Sequence, residues 1–268
     1  MAGRLACWVR MASGHCKAMV RRLAHPCTQR RGKEQDRNER MCIFAAKRYA
    51  GMKARDADFY NTYYENSDEY RVHYSNSRYF PLWVYMEFLL RQYRELNILD
   101  IGCGSGQFGH FLEDRGYRHY RGIDFSAQAI AMAKETCGFP FRVADAFSAD
   151  VLNSAYEVVV SMEVLEHIER DRELVAGIRP GTICLFTVPN FDSEGHVRFF
   201  KSELAVRRRY YKYLDIKATG SINRIFYLHA MRSDFNPGWL QRLVKTRDKV
   251  TLRKFLAWVK WRVLEPML

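Results

Sequence analysis

Four side chains in the second half of the chain are of the types that proton transfer and metal binding require. Glu163, Glu166 and His167 follow a β-branched run, and His196 follows the next apolar run. On a helix, the spacing i, i+3, i+4 would put the first three on one face. Carboxylates and imidazoles together bind divalent metals that acidify a hydroxyl, and a neutral imidazole is itself a base near pH 7. Two mechanisms therefore stay open: a metal held by all four residues, or a metal-free base at His167 or His196 with Glu163 as a further catalytic candidate.

A second group of residues, upstream, has the pattern of a nucleotide-binding loop. Residues 97–109 read NILDIGCGSGQFG, an apolar run that ends at Asp100 and is followed by Gly102, Gly104 and Gly106. Glycine is needed where the backbone turns sharply or lies against a ligand, because a Cβ would clash there. Apolar residues then recur at helical spacing, so the segment predicts a buried strand, a glycine turn and a helix.

Two acids follow the next predicted strands. Asp124 ends the strand candidate 117–124, twenty positions after Gly104, where a carboxylate can accept both hydroxyls of a ribose. Ser126 then caps a predicted helix. Asp145 follows a short third strand. Residues 104–109 also match G-x-G-x-x-G formally, so an NAD-dependent dehydrogenase remains an alternative.

The pattern acid-x-Gly-x-Gly-x-Gly, from Asp100 to Gly106, resembles motif I of the class I S-adenosylmethionine (SAM)-dependent methyltransferases. Asp124, Asp145 and the segment MEVLEHI at residues 162–168 match that family at three further points in the same order. The resemblance implies an α/β fold: a Rossmann-like, doubly wound, seven-stranded sheet with an antiparallel last strand and an N-terminal helical cap. It also implies SAM as the cofactor.

The same resemblance assigns the SAM site. It places the glycine loop against the methionine part of SAM, Asp124 on the ribose and Asp145 on the adenine amino group. The cofactor-binding residues that it implies are Asp100, Gly102, Cys103, Gly104, Gly106, Asp124, Phe125, Asp145, Ala146 and Met162. By analogy with the family's cap, Tyr70, Arg71 or Tyr74 contacts SAM.

The acidic and histidine residues resemble two known metal sets. Glu163, Glu166 and His167 with the later His196 resemble the set of the small-RNA 2′-O-methyltransferases, and the first three resemble that of the ubiquinone-pathway O-methyltransferases. This implies Mg²⁺ or another divalent metal. Many methyltransferases carry E-x-x-E-H without a metal, so the metal-free base stays open.

Three functions are compared on these grounds. The first is SAM-dependent O-methylation of a small-molecule, lipid-precursor or glycan hydroxyl. The second is RNA 2′-O-methylation. The sequence contains no recognisable RNA-binding module, which argues against it, whereas salt-sensitive retention on RNA would support it. The third is a non-catalytic SAM-fold binding protein, against which the intact acids and glycines argue. The acceptor and the oligomeric state are not predicted.

Composition limits the class of protein. The chain has 268 residues, of which 48% are hydrophobic, enough for a sizeable core. No uninterrupted apolar run reaches about 18 residues, so no membrane-spanning helix is expected. The seven cysteines are odd in number and form no C-x-x-C, which favours a reduced compartment over a disulfide framework.

The net charge of +13 is concentrated at the two ends. Residues 1–40 hold ten Lys and Arg against three Asp and Glu, and residues 198–268 hold seventeen against five. We predict a disordered or targeting-like extension (1–40), a helical cap (41–95), a catalytic domain (96–232) and a helical tail (233–268). The expected location is cytoplasmic, or mitochondrial if residues 1–40 are a transit peptide.

Local patterns predict further elements. The tail has apolar residues on one helical face with tryptophans and basic residues around them, which is typical of a peripheral membrane helix or of a helix that packs on its own domain or a twin subunit. One apolar helical face is predicted between Leu82 and Tyr93. A final hairpin is predicted from Tyr213–Ala218 and Ile225–Ala230, turning at Gly220-Ser221.

Overall fold

A seven-stranded sheet runs through the part of the chain that the computed structural model describes, residues 54–234. Its strands are β1 (Ile98–Ile101), β2 (Tyr120–Asp124), β3 (Phe141–Val143), β4 (Val158–Met162), β5 (Ile183–Pro189), β6 (Leu214–Ile222) and β7 (Ile225–Arg232). Their order across the sheet is β3-β2-β1-β4-β5-β7-β6. The first five strands are parallel, and β7 runs antiparallel to both β5 and β6. The predicted fold is confirmed.

Helices cover both faces of this sheet. They are α1 (Ala57–Glu65), α2 (Phe80–Leu90), α3 (Gln107–Asp114), α4 (Ala127–Thr136), α5 (Ala149–Leu152), α6 (Asp171–Gly177) and α7 (Glu203–Tyr210). Short 3₁₀ turns at Asp68–Tyr70, Tyr74–Asn76 and Arg91–Tyr93 complete the connections. Ser126 Oγ accepts the Ala129 N–H at the start of α4, and so confirms the predicted cap.

The core consists of two apolar clusters, one on each face of the sheet. Ile98 of β1 packs with α2, α3 and α4, whereas its neighbour Leu99 packs with α5, α6 and α7. Successive strand residues point to opposite faces, so strands covered by helices on both sides must be apolar throughout. This is why β1 and β4 are mostly apolar, with Asp100 and Ser161 as their polar residues.

The helix α2 differs from its predicted form. Nine consecutive residues, from Leu82 to Leu90, are buried, so the prediction of a single apolar face was wrong. The helix lies inside the apolar cluster, and its residues 82–90 have no solvent-exposed face. Pro81 lies in its first turn, where the missing N–H costs no helical hydrogen bond.

The final hairpin forms, but its turn lies elsewhere than predicted. Ile222 pairs with Ile225, so the two-residue turn is Asn223-Arg224 and Gly220-Ser221 belongs to β6. Asn223 and Arg224 have φ of 48° and 67°, the left-handed conformation that a tight hairpin with the twist of its strands requires. Asparagine tolerates that conformation, and the glycine signal was misleading.

Parts of the predicted organisation lie outside the described residues. These are the basic extension 1–40 and, beyond residue 234, the amphipathic tail. Within residues 54–234, no helix combines the length and the apolar character that crossing a bilayer would need.

Candidate functional site

A cavity of about 790 Å³ opens where β1 and β4 lie side by side. At this point the strand order reverses direction, and the loops that leave the two carboxyl ends diverge to opposite faces. The loop after β1 carries the glycines, and the loop after β4 carries Glu163, Glu166 and His167. The fold thus brings the two sequence motifs to one cleft, whose volume is in the range of small-molecule sites.

The glycine loop has the conformation of a ligand cradle. Gly102 and Gly104 have φ of 78° and 54°, which side chains rarely adopt. A Cβ on Gly102 would clash with the Val164 side chain, and one on Gly104 would lie 2.9 Å from Tyr64 Oη. Gly106 has the same φ of 78°, but a Cβ there would meet Ala133 of α4, so this glycine serves helix packing and does not line the cavity.

Asp100 is a buried acid at the end of β1. Its Oδ2 accepts a hydrogen bond of 2.6 Å from the Tyr120 hydroxyl, while Oδ1 is buried with no hydrogen-bond partner among the described residues. Burial raises the pKa of this carboxyl to about 7, although the Tyr120 bond opposes the shift. Asp100 borders the cavity, and a buried oxygen without a partner can accept a hydrogen bond from a bound ligand.

Asp124 joins the glycine loop to the next helix. Its Oδ2 accepts the Gly104 N–H at 3.1 Å, and its Oδ1 accepts the Ser126 N–H at 2.9 Å. Each carboxylate oxygen has a second lone pair, so both can still accept a ribose hydroxyl. Burial raises the pKa of Asp124, and these backbone bonds oppose the shift.

The remaining predicted cofactor residues also border this cavity. Asp145 Oδ1 accepts the Phe147 N–H at 2.9 Å, which fixes the turn after β3. Apart from Gly106, every predicted cofactor residue is on the cavity wall: Asp100, Gly102, Cys103, Gly104, Asp124, Phe125, Asp145, Ala146 and Met162. The glycine cradle, the spare lone pairs of Asp124 and the orphaned Asp100 oxygen together fit SAM.

The segment that carries the predicted catalytic residues is not helical. Residues 163–170 form turns, and Glu163 itself has φ of 56°, which a right-handed α-helix excludes. The Glu163 N–H donates to Thr187 Oγ1, which donates back to Glu163 Oε1, both at 3.0 Å. The expectation that Glu163, Glu166 and His167 share a helical face was therefore wrong. Backbone strain of this kind concentrates at functional sites.

Burial changes the acidity of the two glutamates. It raises the pKa of Glu163 to about 7 and that of Glu166 well above its ordinary value. Glu166 is completely buried, and neither of its carboxylate oxygens has a hydrogen-bond partner in the described part of the chain. A buried polar group in this condition requires an explanation, such as a proton or a bound ion.

Glu166, His167 and His196 converge. One ligand atom from each lies within 4.8 Å of the others, and Glu163 is not part of this group. His167 Nε2 is 3.8 Å from Glu166 Oε1, beyond hydrogen-bond distance. Of the four predicted metal ligands, the structure brings these three together and leaves Glu163 bound to Thr187.

Contacts with backbone carbonyls indicate which nitrogen of each imidazole is basic. His167 Nδ1 lies 3.0 Å from the Gly195 carbonyl oxygen, and His196 Nδ1 lies 3.3 Å from that of Phe191. A carbonyl only accepts, which favours the tautomer with the hydrogen on Nδ1 and the lone pair on Nε2. In that tautomer the Tyr60 hydroxyl, 2.8 Å from His167 Nδ1, is a second acceptor. Burial lowers the pKa of His167 to about 4 and also lowers that of His196, so both rings are neutral at pH 7.

The cap contributes residues that the sequence did not single out. Tyr60 Oη of α1 lies 2.8 Å from His167 Nδ1, and Tyr64 covers the glycine loop. Of the three predicted cap contacts only Tyr70 borders the cavity, whereas Arg71 and Tyr74 do not. The segment is rich in tyrosine throughout, and local spacing does not say which rings face inward.

A family model described as a methyltransferase domain matches residues 98–180, from the first residue of β1 to the turn before β5. The match covers the glycine loop, Asp124, Asp145 and the segment with Glu166 and His167. Together with the strand order and the placement of these residues, it identifies the domain. Residues 98–180 are a methyltransferase domain of the class I SAM-dependent type.

Curated relatives of this domain include two kinds of methyltransferase. Phosphoethanolamine N-methyltransferase 1 of Zea mays is 26% identical over 171 residues, which are 59% of this chain and 33% of that protein. The ubiquinone biosynthesis O-methyltransferase of Paraburkholderia xenovorans is 32% identical over 104 residues, 35% of this chain and 44% of that protein. The chain thus spans less than half the length of either relative.

Solved structures show the same fold. Magnesium protoporphyrin IX methyltransferase of Synechocystis, whose crystal structure contains SAM, matches with a TM-score of 0.50 and 17% identity. The match covers 67% of this chain and 98% of that one. This structural match agrees with the seven-stranded sheet that the sequence predicted.

Proposed function

We propose that this protein transfers a methyl group from SAM to a hydroxyl of a small molecule, a lipid precursor or a glycan. One observation carries the proposal: a single cavity has the SAM-type cradle on one wall and Glu163, His167 and His196 on another. The relatives described above include both O- and N-methyltransferases, so the choice of a hydroxyl rests on these side chains.

On the cofactor wall, the chain's task is binding and orientation. SAM, when bound, supplies a methyl group on a sulfonium that is already a good leaving group. Gly102 and Gly104 let the backbone approach it, Asp124 offers its free lone pairs to the ribose, and Asp145 lies at the adenine end. Fixing donor and acceptor in line removes much of the entropic barrier of a two-molecule reaction.

On the acceptor wall, the chain must remove a proton from the hydroxyl. His167 is neutral, its Nδ1–H is held by the Gly195 carbonyl, and its Nε2 keeps a lone pair. A base oriented in this way needs no tautomer change before it accepts a proton. Glu163, with a pKa near 7, is the alternative proton acceptor at the same wall.

A divalent metal at Glu166, His167 and His196 is a further part of the proposal. The residues fit it because a ring nitrogen of each of two imidazoles converges with a buried carboxylate that has no hydrogen-bond partner among the described residues. Backbone carbonyls on the opposite ring nitrogens are the usual support of metal-binding histidines. Two imidazoles with one carboxylate suit a transition metal better than Mg²⁺, which prefers oxygen ligands. A metal there would acidify a bound hydroxyl.

Calorimetric titration of the full chain with SAM and with S-adenosylhomocysteine tests the cofactor assignment. We expect micromolar binding, and Asp124→Ala should weaken it by about 1–3 kcal/mol, the cost of losing a charged hydrogen bond. Asp150→Ala, at an exposed acid of α5, is the matched control. Absence of binding in the wild-type chain would favour a non-catalytic protein. If SAM binds, labelled SAM with hydroxylated and amine acceptors then identifies the substrate class.

Chelation separates the two acceptor mechanisms. If the metal is required, a chelator should abolish turnover, and one of Mn²⁺, Fe²⁺, Co²⁺, Zn²⁺ or Mg²⁺ should restore it. Glu166→Gln should remove that restoration and leave binding of S-adenosylhomocysteine intact. Full turnover in the presence of chelator would contradict the metal and leave the base mechanism.

A further inference from the structure

Two loops supply the side chains on the acceptor wall, and neither is a helix or a strand. The first, residues 163–170, carries Glu166 and His167, and the second, residues 191–200, carries His196. Loops position side chains less precisely than helices and strands do, because their backbone lacks a regular series of hydrogen bonds. The geometry of the three side chains therefore depends on what joins the two loops.

Arg198, two residues after His196, joins them. Its guanidinium donates to the carbonyl oxygens of Leu165, Ile168 and Glu169, which surround Glu166 and His167 in the first loop. The planar guanidinium offers five N–H donors, enough to bind several carbonyls at once, which an ammonium cannot do with the same rigidity.

The guanidinium is itself held from the other side. Asp171, completely buried in the first turn of α6, lies 3.5 Å from Arg198 Nη2. Two residues of α7 orient Asp171: Arg209 binds both of its oxygens, and the Tyr210 hydroxyl donates to Oδ2 at 2.7 Å. The loops are thus tied to two helices through one carboxylate.

Two shorter links lie on the same path. The Val197 N–H donates to the Glu166 carbonyl oxygen at 2.8 Å, and His167 Nδ1 donates to the Gly195 carbonyl. Gly195, Val197 and Arg198 therefore each bind the first loop, and Arg198 makes most of the bonds. We propose that Arg198 is a positioning residue, which fixes the relative positions of Glu166, His167 and His196 for the acceptor reaction. This inference rests on the proposed function of that wall.

Three variants of the full chain test it. Arg198→Ala removes the hydrogen bonds to the first loop, and Arg198→Lys keeps the positive charge but not the planar guanidinium. Arg208→Ala, which changes an exposed arginine of α7, is the control. We expect kcat to fall about 10- to 100-fold in both Arg198 variants, the usual loss when a group that orients a reactive side chain is removed. Binding of S-adenosylhomocysteine should stay within about twofold of wild type, and Arg208→Ala should match wild type. Guanidinium or ethylguanidinium in the buffer should restore part of the turnover of Arg198→Ala.

A readout that needs no turnover separates this inference from the proposed function. The ¹⁵N chemical shifts of the imidazoles report which ring nitrogen carries the hydrogen. We expect His167 and His196 to be Nδ1-protonated in wild type and to become mixtures of tautomers in Arg198→Ala and Arg198→Lys.

Arg198 would be only a structural residue if the variants unfolded at lower temperature but kept wild-type tautomers and wild-type kcat for the folded fraction. That result would overturn the inference. An inactive wild-type chain with the expected tautomer change would instead contradict the proposed function and leave the positioning role intact.

Discussion

At the scale of single residues, burial determines which groups are available for proton transfer. His167 and Glu163 both border the cavity, but burial shifts their pKa values in opposite directions, to about 4 and about 7. The imidazole loses its charge more readily than in water, and the carboxyl keeps its proton longer. At neutral pH His167 is therefore fully deprotonated, whereas Glu163 is partly protonated.

This difference predicts the pH profile of the metal-free enzyme. A base acts only when it is deprotonated, so with His167 in that role kcat should be constant around pH 7 and should fall only as the pH approaches about 4. The measurement is kcat against pH in the presence of chelator. Glu163→Gln should keep the same profile. A rise through about pH 7 that disappears in Glu163→Gln would assign the role to Glu163.

The residue types at the site could be predicted from the sequence, but their geometry could not. The spacing of Glu163, Glu166 and His167 indicated one helical face, whereas the chain turns at Glu163 with a positive φ. The reason is tertiary: Thr187 of β5 holds both the N–H and the carboxylate of Glu163. Nothing within five residues of Glu163 contains that information.

At the scale of elements, the glycine loop after β1 shows how a short motif determines both conformation and packing. Gly102 needs a left-handed backbone and also contacts the loop after β4 through Val164. Gly181, at the turn before β5, has a similar φ of 87°, but no described atom lies within 4 Å of the position its Cβ would take.

These two glycines form a matched pair for mutation. Gly181→Ala should cost about 1–2 kcal/mol of unfolding free energy, the price of a left-handed alanine, and should leave SAM binding unchanged. Gly102→Ala should cost more, because it adds a clash with Val164, and should weaken SAM binding at least tenfold. Urea unfolding and calorimetry measure the two effects. Equal SAM affinity in the two variants would contradict the assignment of the Gly102 loop to SAM binding.

At the scale of the whole molecule, charge is distributed unevenly along the chain. The last 71 residues carry most of the net charge of +13, and much of it lies beyond the described residues. Basic segments that contain tryptophan and leucine bind anionic membrane surfaces, each basic residue contributing about 1 kcal/mol near the surface. Such contact would fit a lipid-precursor acceptor.

Vesicle sedimentation tests this proposal. The full chain should sediment with vesicles that contain phosphatidylserine but not with phosphatidylcholine alone, and added salt should release it. The double variant Lys254→Glu with Lys260→Glu should lose most of the binding. Lys134→Glu, at an exposed lysine of α4, should keep it. Equal binding by the two variants would contradict a role of the tail.

The sequence by itself determined the methyltransferase class of the domain and the strand–helix order, and it predicted the residues of the cofactor wall. Those features rest on local rules: apolar periodicity, glycine where a Cβ clashes, and an acid at a strand end. The tertiary structure decided the acceptor wall. It selected Tyr60 and Tyr64 among the cap tyrosines, separated Glu163 from Glu166, and brought Arg198 and His196 to the loop after β4. Contacts between residues about 30 to 100 positions apart leave no local pattern, because they arise only when the parallel strands align their carboxyl ends.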